Sequence, residues 1–234
     1  PVTYEVHSSA GIKKYTVILE QETGCQTQTA VRLVHKTGMS ISIDSENETW
    51  ISDDIRQSVV DFTMEDSRKL RLCLVEADMT DGSMTLRTLL PDNKDNWGLQ
   101  NIMDQASALE VEGYEVLCAI NGDTFDQFTG TPDGLVLKEG DILNMMDSRY
   151  FFGIRNDGRL SIGDNEDFFL VESKLTNAIG AKNLIIENGG LVAGMESDGA
   201  FTSRSFAGMD SFDLKKLYFA CIQSLDEGES TGVT

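Results

Sequence analysis

Short segments in which apolar and polar residues alternate dominate the chain, and this two-residue period is typical of half-buried β-strands. Met39, Ile41 and Ile43 show the alternation. Turn residues separate neighbouring segments, and Asn156-Asp157-Gly158 and Asn188-Gly189 each predict a tight β-hairpin. The pattern predicts strands at residues 15–19, 30–34, 39–43, 70–77, 84–90, 115–120, 152–155, 159–162, 184–186, 191–192 and 217–223.

One segment has a helical period instead. Between residues 95 and 113, apolar side chains recur at intervals of three or four, at Leu99, Ile102, Ala106 and Leu109. Asp95 or Asn96 can cap the start of this helix, and Gly113 predicts its end. Because strands outnumber helices and hairpins connect them, the sequence predicts an α+β fold. We expect it to be dominated by sheets, with largely antiparallel strands and few helices.

The composition is that of a globular protein with an unusual charge. The 234 residues suit one large domain, or one domain with a small appendage, and 40% of them are hydrophobic. Against 19 lysines and arginines stand 39 acidic residues, which gives a formal net charge of −20. This charge repels phosphate backbones and anionic lipid headgroups, so it argues against a nucleic-acid-binding protein. No apolar run approaches the roughly 18–20 residues of a membrane-spanning helix.

The cysteines do not predict a metal site. The four cysteines include no Cys-x-x-Cys pair, and the chain has only two histidines. We therefore expect no bound metal and no cofactor. Cys73, Cys118 and Cys221 each lie in an apolar run, which favours three buried thiols. Nothing in the spacing selects among the three disulfide pairings that four cysteines allow.

Several familiar catalytic signatures are absent from the sequence. There is no phosphate-binding loop ending in Gly-Lys-Ser/Thr, no His-Glu-x-x-His motif and no Gly-x-Ser-x-Gly motif. His7 and His35 both lie in the amino-terminal segment. Their position argues against a serine or cysteine hydrolase that depends on a histidine base.

Polar residues cluster where the predicted strand at 115–120 ends. The motif Asn121-Gly122-Asp123-Thr124-Phe125-Asp126 follows it directly, and the loop continues through Gly130-Thr131-Pro132-Asp133-Gly134. Functional groups often lie where a rigid strand passes into a loop. A purely structural interpretation is also open, in which Asn121 and Asp123 form Asx turns with their own backbone.

Arg204 is a second candidate, because it is one of few basic residues in the last third of an acidic chain. It is flanked by Ser203 and Ser205. The alternative is a surface arginine that pairs with a nearby carboxylate. Glu187 directly precedes the Asn188-Gly189 turn, so we interpret it as a solvent-facing hairpin residue and not as a catalytic carboxylate.

Together these segments resemble the phosphodiester glycosidase family. This is the family of the mannose 6-phosphate uncovering enzyme, N-acetylglucosamine-1-phosphodiester alpha-N-acetylglucosaminidase. The resemblance spans residues 73–234 and rests on five motifs that occur in the family's order. They lie at residues 119–126 with 130–136, at 152–158, at 178–180 with 184–189, at 203–208 and at 230–234.

The resemblance implies a hydrolase that cleaves a sugar-1-phosphodiester and releases an N-acetylhexosamine or similar sugar from a phosphorylated glycan. It implies that Arg204, helped by Ser205, binds the phosphate. Asp123 would activate water or stabilise an oxocarbenium-like centre, and Asn121 would orient sugar hydroxyls or phosphate oxygens. The further substrate-binding residues that it implies are Gly122, Thr131, Gly180, Asp210 and Gly232, with Gly180 and Gly232 acting through their backbone N–H groups.

The resemblance also implies how the chain is organised. Residues 1–50 match nothing in the family and are expected to form a β-rich extension, whereas residues 51–234 form the family's domain. That domain continues in the family beyond the block at 230–234, so we expect it to be incomplete at its C-terminus and completed by a partner segment. The family usually has threonine at the position of Ser205.

The family membership implied here further predicts an exported protein (periplasmic, cell-surface or secreted) whose signal peptide has been removed. Its partners would be glycan or sugar-phosphate substrates, and neither nucleic acid nor a membrane-spanning segment is expected. The alternative function is a non-catalytic module that kept the fold and binds carbohydrate or the cell envelope.

Overall fold

A computed structural model describes residues 2–8, 11–17, 27–37, 40–145, 149–192 and 203–226. Within these ranges the strands are β1 Val2–Ser8, β2 Gly11–Val17, β3 Ile41–Ser52, β4 Ile55–Met64, β5 Lys69–Asp78, β6 Val136–Lys138, β7 Asp141–Asn144, β8 Tyr150–Arg155, β9 Leu160–Gly163, β10 Leu175–Ala181, β11 Ile186–Glu187, β12 Gly190–Leu191, β13 Arg204–Met209 and β14 Lys216–Ser224. The α-helices are α1 Gln28–Thr37, α2 Ile102–Val111 and α3 Asn165–Val171. Short 3-10 turns cover Pro91–Asn93 and Glu172–Lys174.

Two five-stranded sheets contain most of these strands. The first sheet has the strand order β13-β14-β5-β4-β3, and the second has the order β7-β6-β10-β8-β9. The pairs β1–β2 and β11–β12 form separate two-stranded hairpins. Every pairing is antiparallel. The described part of the chain is thus a sheet-dominated α+β fold with antiparallel strands, as the sequence predicts.

The first sheet joins distant parts of the chain. β3, β4 and β5 form a meander, and β14 then pairs with β5 along its whole length, from Lys216 opposite Asp78 to Ser224 opposite Leu70. The boundary expected at residue 50 falls inside β3, which pairs with β4 along nearly its whole length. Residues 41–52 therefore belong to the same sheet as residues 204–224.

The two sheets share one apolar core. Side chains on one face of β4, β5 and β14 meet side chains of β8 and β9, and the buried members of this core are Ile55, Ala77, Met79, Phe152, Ile154, Leu160, Leu217 and Phe219. The rings of Phe152 and Phe219 meet edge to face at a centroid distance of 6.2 Å. Alternation along each strand places every second side chain in this layer, so the hydrophobic effect fixes which face of each sheet points inward.

Helices cover the outer faces of the two sheets. Ala30 of α1 packs with Val60, Phe62 and Leu70 of the first sheet. Phe168 of α3 packs on the second sheet, with its ring edge against Phe151 at a centroid distance of 5.6 Å. The described layers therefore run α1, first sheet, second sheet, α3. No described helix is long and apolar enough to cross a membrane.

Several sequence predictions are confirmed. Strands form at residues 69–78, 150–155, 160–163 and 216–224, close to the predicted segments. The turn at Asn188-Gly189 joins β11 and β12, with φ values of 50° and 78°, which a type I′ hairpin requires at both central residues. Glu187 is exposed beside this turn, as expected.

The prediction of a strand at residues 30–34 is wrong, because this segment belongs to α1. The Thr27 hydroxyl accepts a hydrogen bond from the Ala30 N–H at 3.1 Å, which caps the first turn. Ala30 and Leu33 are three residues apart and pack on the first sheet together. A five-residue apolar run does not distinguish a helix face from a strand, and the sheet beneath it decided the outcome.

The segments 84–90 and 115–120 are not strands either. Within the described residues neither pairs with a sheet, although Leu86, Leu117 and Ile120 pack against the shared core. The predicted helix exists but starts later, with Asn101 as its cap rather than Asp95 or Asn96. Its predicted apolar face is also shortened at the start, because Leu99 precedes the helix and is 58% exposed.

The three described cysteines are free thiols and are half-buried rather than fully buried. Burial raises the pKa of the Cys73 and Cys118 thiols. Cys73 and Cys221 lie opposite each other on β5 and β14. Cys25 lies outside the described residues.

Candidate active site

The segment 121–134 is a loop that hydrogen bonds hold in one defined path. An isolated bridge joins Phe125 to Pro132 across the loop. Asn144 of β7 donates its amide to the carbonyls of Pro132 and Gly134 at 3.0 and 2.7 Å. Asn144 thus ties the second arm of the loop to the second sheet, and the bridge joins the first arm to the second, so the backbone that carries the polar side chains follows a fixed path.

Asp123 lies against two glycines, Gly134 at the far end of the same loop and Gly180 on β10. A Cβ atom built on Gly134 would lie 2.0 Å from Asp123 Oδ2, and one built on Gly180 would lie 2.3 Å from the same oxygen. Only residues without a side chain leave room for this carboxylate. The other oxygen, Oδ1, accepts the Thr124 N–H at 2.7 Å. Asp123 is half-buried, so it is both fixed and open to a ligand.

Gly180 contributes space and not a free donor. Its N–H donates to the Leu135 carbonyl at 2.7 Å, which closes the junction between β10 and the end of the loop. The expectation that this N–H points into a ligand cavity is therefore wrong. The physical reason is that β10 continues the sheet through residue 180, and the sheet uses the backbone group.

Asn121 and Gly122 lie beside Asp123 and are exposed. A Cβ atom on Gly122 would meet the Ile179 side chain at 3.4 Å, so the backbone here packs closely on β10. Asn121, Gly122 and Asp123 all line one large cavity. The structure thus brings four of the predicted site residues together, since Gly180 touches Asp123.

This cavity has a volume of about 870 Å³. It lies where the two sheets meet, between Phe219 of β14 and Ile179 of β10, and the unpaired segments 84–90 and 115–120 form much of its wall. A volume of this size is within the range of sites that hold small organic ligands. The polar motif at residues 121–123 stands at a wall that is otherwise mostly apolar.

Arg87 is the only cationic side chain among the described residues that line this cavity. It forms an ion pair with Glu139, and its guanidinium stacks on the Tyr114 ring at 4.4 Å from the centroid. The backbone of the next residue, Thr88, is also bonded, because its N–H donates to Asn177 Oδ1 at 3.0 Å. Asn177 lies three residues before Gly180 on β10, which is roughly 10 Å along the strand. Because Asp123 lies against Gly180, the Thr88–Asn177 contact is about this far from the carboxylate.

Thr131 takes part in the internal bonding of the loop. Its hydroxyl accepts a hydrogen bond from the Thr129 hydroxyl at 2.9 Å. Asp126 organises the same turn, because its Oδ1 accepts the N–H groups of Phe128 and Thr129 at 2.9 and 2.8 Å. The Thr129 N–H and then the Phe128 N–H hold the pKa of Asp126 below its ordinary value. Asp126 thus forms an Asx turn in this loop, whereas the structural interpretation from the sequence concerned Asn121 and Asp123.

Arg204 does not line the cavity that holds Asn121 and Asp123. It begins β13 and lies opposite Ile222 of β14. Ile222 packs with Ala30 of α1, and directly opposed residues of an antiparallel pair point to the same face. The Cβ atom of Arg204 is therefore on the α1 side of the first sheet, away from the second sheet. Arg204 makes further interactions in the structure.

Ser205 and Asp210 are also apart from the cavity. Ser205 is opposite Cys221, on the other face from Arg204. Asp210 directly follows β13, and its Oδ1 accepts the Phe212 and Asp213 N–H groups at 2.7 and 3.0 Å. These bonds, the first from Phe212, lower its pKa. Asp210 shapes the β13–β14 turn in this structure.

The last predicted residue, Gly232, lies outside the described residues, as does the predicted cap at 230–231. Among the residues that the structure describes, no group of three or more histidine, cysteine, aspartate or glutamate side chains could hold a metal ion.

Sequence reasoning missed Gly134 and Arg87. Gly134 stood in the recognised motif, yet nothing in the sequence showed that it faces Asp123 from the far end of the loop. Arg87 lies in a segment that the pattern predicts as a strand, and no local motif marks it. The roles of both residues depend on contacts that the tertiary structure makes between separate segments.

The comparisons with known proteins point to one family. The family model described as phosphodiester glycosidase matches residues 114–234, which is slightly more than half of the chain. The matched region begins just before the motif at 121–123 and includes β6 to β14. A comparison with curated proteins gives no match.

Proposed function

Since the chain belongs to the phosphodiester glycosidase family, we propose that it hydrolyses sugar-1-phosphodiesters and releases an N-acetylhexosamine or similar sugar. Water attacks the anomeric carbon, the bond between that carbon and the phosphate oxygen breaks, and the phosphate leaves on its other alcohol. The proton of the attacking water passes to a carboxylate and then to solvent or product. The products are one free sugar and one phosphomonoester.

Asp123 is the carboxylate that this reaction requires. It is fixed between Gly134 and Gly180, yet it is half-exposed on the wall of a cavity that is large enough for a sugar phosphate. An ionised carboxylate in a fixed place accepts the proton of an attacking water, or stabilises positive charge at the anomeric carbon. This placement within the family-matched segment is the observation that carries the proposal.

Asn121 and Gly122 supply recognition in this proposal. The exposed amide of Asn121 has both donor and acceptor atoms, which suit sugar hydroxyls and phosphate oxygens. Gly122 lines the same cavity and packs closely on the Ile179 side chain, which keeps the backbone between Asn121 and Asp123 at the cavity wall. A phosphomonoester is a better leaving group than a sugar alkoxide, so the reaction depends less on a strong general acid.

The test of this proposal uses N-acetylglucosamine-1-phospho-6-mannose as the substrate and follows both products. We expect release of N-acetylglucosamine together with mannose 6-phosphate from the purified protein. Asp123→Asn should abolish this release, whereas Asp133→Asn, an exposed aspartate of the same loop, should retain it. Phosphate transfer without free sugar, or no turnover by the folded protein, would contradict the proposal.

A second candidate is a module that binds carbohydrate without turnover. The observation that favours it is the position of Arg204, whose Cβ atom lies on the α1 face of the first sheet and not at the cavity. Without that guanidinium, the site lacks the two-pronged phosphate contact that the family resemblance implies. Binding of N-acetylglucosamine 1-phosphate by a protein that leaves the diester intact would establish this alternative.

A further inference from the structure

Two phenylalanines beside Asp123 project into solvent. Phe125 is 51% exposed and Phe128 is 93% exposed, and both belong to the loop at residues 121–134. Single exposed apolar side chains are common on proteins, but neighbouring aromatic rings next to a candidate catalytic group favour an interaction surface. The proposed reaction on Asp123 does not use either ring.

Backbone contacts order the part of the loop that carries these two rings. Asp126 accepts the Phe128 N–H, and Phe125 is bridged to Pro132. Gly130 adopts φ of 72°, and a Cβ atom on it would lie 2.2 Å from the Gly98 carbonyl oxygen, so the loop packs tightly on a second segment. Because the backbone is already ordered and a phenylalanine side chain has only two rotatable bonds, this surface loses little conformational entropy when it binds a partner.

The two rings lie at different distances from the reacting centre. Phe125 lines the same cavity as Asp123. Phe128 is five residues from Asp123, so their Cα atoms are at most about 18 Å apart. Phe128 does not line the cavity and is almost wholly exposed, so only a ligand that extends beyond the cavity can contact it.

The charge of the loop selects the chemistry of that ligand. Residues 121–134 include three aspartates, Asp123, Asp126 and Asp133, and no lysine or arginine. This surface repels nucleic acid and anionic lipid. Carboxylates accept hydrogen bonds from hydroxyl groups, and the negative face of a phenyl ring attracts the C–H bonds on the face of a sugar ring. Neutral sugars satisfy both requirements.

We propose that Phe125 and Phe128 form a stacking surface for neutral sugar rings, which extends the site outward from Asp123. Phe125 contacts the sugars next to the scissile phosphodiester, and Phe128 contacts a sugar further along the same glycan. The protein thus prefers diesters whose alcohol is an oligosaccharide over diesters of a small alcohol. This preference rests on the proposed function, whereas the binding of neutral glycan does not.

The kinetic test compares two diesters of N-acetylglucosamine 1-phosphate, one with methanol and one with a mannotriose. We expect Phe128→Ala to raise the KM for the mannotriose diester about tenfold relative to the methyl diester, and Phe128→Trp to restore the preference. Phe212→Ala is the matched control, because Phe212 is 99% exposed in the β13–β14 turn and should leave both KM values unchanged. Equal KM ratios in Phe128→Ala and the parent protein would overturn the inference while leaving the proposed function intact.

A binding test without turnover uses chitotriose, a neutral trisaccharide that contains no phosphate. We expect saturable binding in calorimetry or ligand-observed NMR that Phe128→Ala weakens about tenfold and Phe212→Ala does not change. This result supports the surface even if no diester is cleaved. Absence of chitotriose binding, or binding to neutral phosphatidylcholine vesicles that is lost in Phe128→Ala, would overturn it in favour of another partner.

Discussion

The loop at residues 121–134 and the start of β13 carry the two halves of the site that the sequence implies, and the structure places them by different forces. In the loop, residues close in sequence bond to one another and pack on β10, so Asn121 and Asp123 stay together. At the start of β13, the pairing with β14 decides which way Arg204 points. Local hydrogen bonds preserve a motif, whereas strand register can turn a residue away from it.

The difference between Arg204 and Ser205 shows how strongly the direction of a side chain depends on strand register. Successive strand residues point to opposite faces, so a register shift of one residue exchanges the two side chains. Arg204 is on the α1 face and Ser205 is on the other face. The register of the β13–β14 hairpin therefore decides whether the Arg204 guanidinium lies on the face of the first sheet that meets the cavity.

The largest expected effect is the loss of the Asp123 carboxylate. We expect Asp123→Asn to lower kcat for the diester at least about 100-fold, because an amide cannot accept the proton of the attacking water. Steady-state kinetics on N-acetylglucosamine-1-phospho-6-mannose measures this loss. Asp133→Asn in the same loop should change kcat by less than about threefold, and a similar loss in both variants would show that the loop and not the carboxylate was damaged.

The next effect compares glycines in the two regions. Gly180→Ala would place a Cβ atom 2.3 Å from Asp123 Oδ2 and 2.8 Å from the Leu135 nitrogen, so it must shift the backbone or the carboxylate. We expect the free energy of unfolding to fall by about 1–3 kcal/mol, with reduced turnover. Gly208→Ala on β13 meets only the Tyr218 Cβ at 3.9 Å and should stay within about 0.5 kcal/mol. Urea unfolding of both variants checks the contrast, and an unperturbed Gly180→Ala would refute the close packing at Asp123.

A smaller effect is expected at low pH, where the carboxylates that form these turns become protonated. Backbone N–H groups lower the pKa of Asp126 in the loop and of Asp210 in the β13–β14 turn. A group with a lowered pKa stabilises the folded state above its unfolded value, and this contribution is lost as the pH falls through the lowered pKa. We therefore expect the amide signals of Thr129 and Phe212 in NMR to shift with midpoints below about 3.9.

The control for this titration is substitution of each carboxylate. Asp126→Asn should remove the acid transition at Thr129 and leave the transition at Phe212, and Asp210→Asn should do the reverse. Midpoints at or above the ordinary aspartate value would mean that these turns do not form the hydrogen bonds described here.

The smallest expected effect is that of Arg204. Because its Cβ atom lies on the α1 face, Arg204→Ala should lower kcat/KM by less than about threefold. Kinetics on the same diester, beside Asp123→Asn, measures the contrast. A loss as large as that of Asp123→Asn would place the start of β13 in the site and would support the phosphate-binding role that the family resemblance implies.

The sequence predicted those parts of the fold whose signals are local. Asn188-Gly189 specifies its turn through residues that tolerate positive φ, and the alternating strand at 217–223 is confirmed as β14. Residues 30–34 were predicted wrongly, because a short apolar run fits either a helix or a strand. The choice came from a sheet surface that α1 covers, and this surface includes residues as distant along the chain as Leu70 and Ile222.

The same limit applies to the candidate site. Asn121, Gly122 and Asp123 were identified from their motif, and their neighbour Gly180 was identified from a second motif. Arg87 could not be identified, because its place in the cavity wall depends on the Thr88–Asn177 contact between segments 89 residues apart. A sequence shows which chemical groups are present, but it does not show which distant segments lie close together.

By itself, the sequence determined the class of fold, the family and the chemical identity of the carboxylate and amide at residues 121–123, since each is encoded in neighbouring residues. Only the tertiary structure decided that Gly134 and Gly180 make room for Asp123, that Arg87 lies in the cavity wall, and that Arg204 points to the α1 face. The physical reason is that sheet register and packing are set by contacts across the whole chain, where a change of one residue reverses the direction of a side chain.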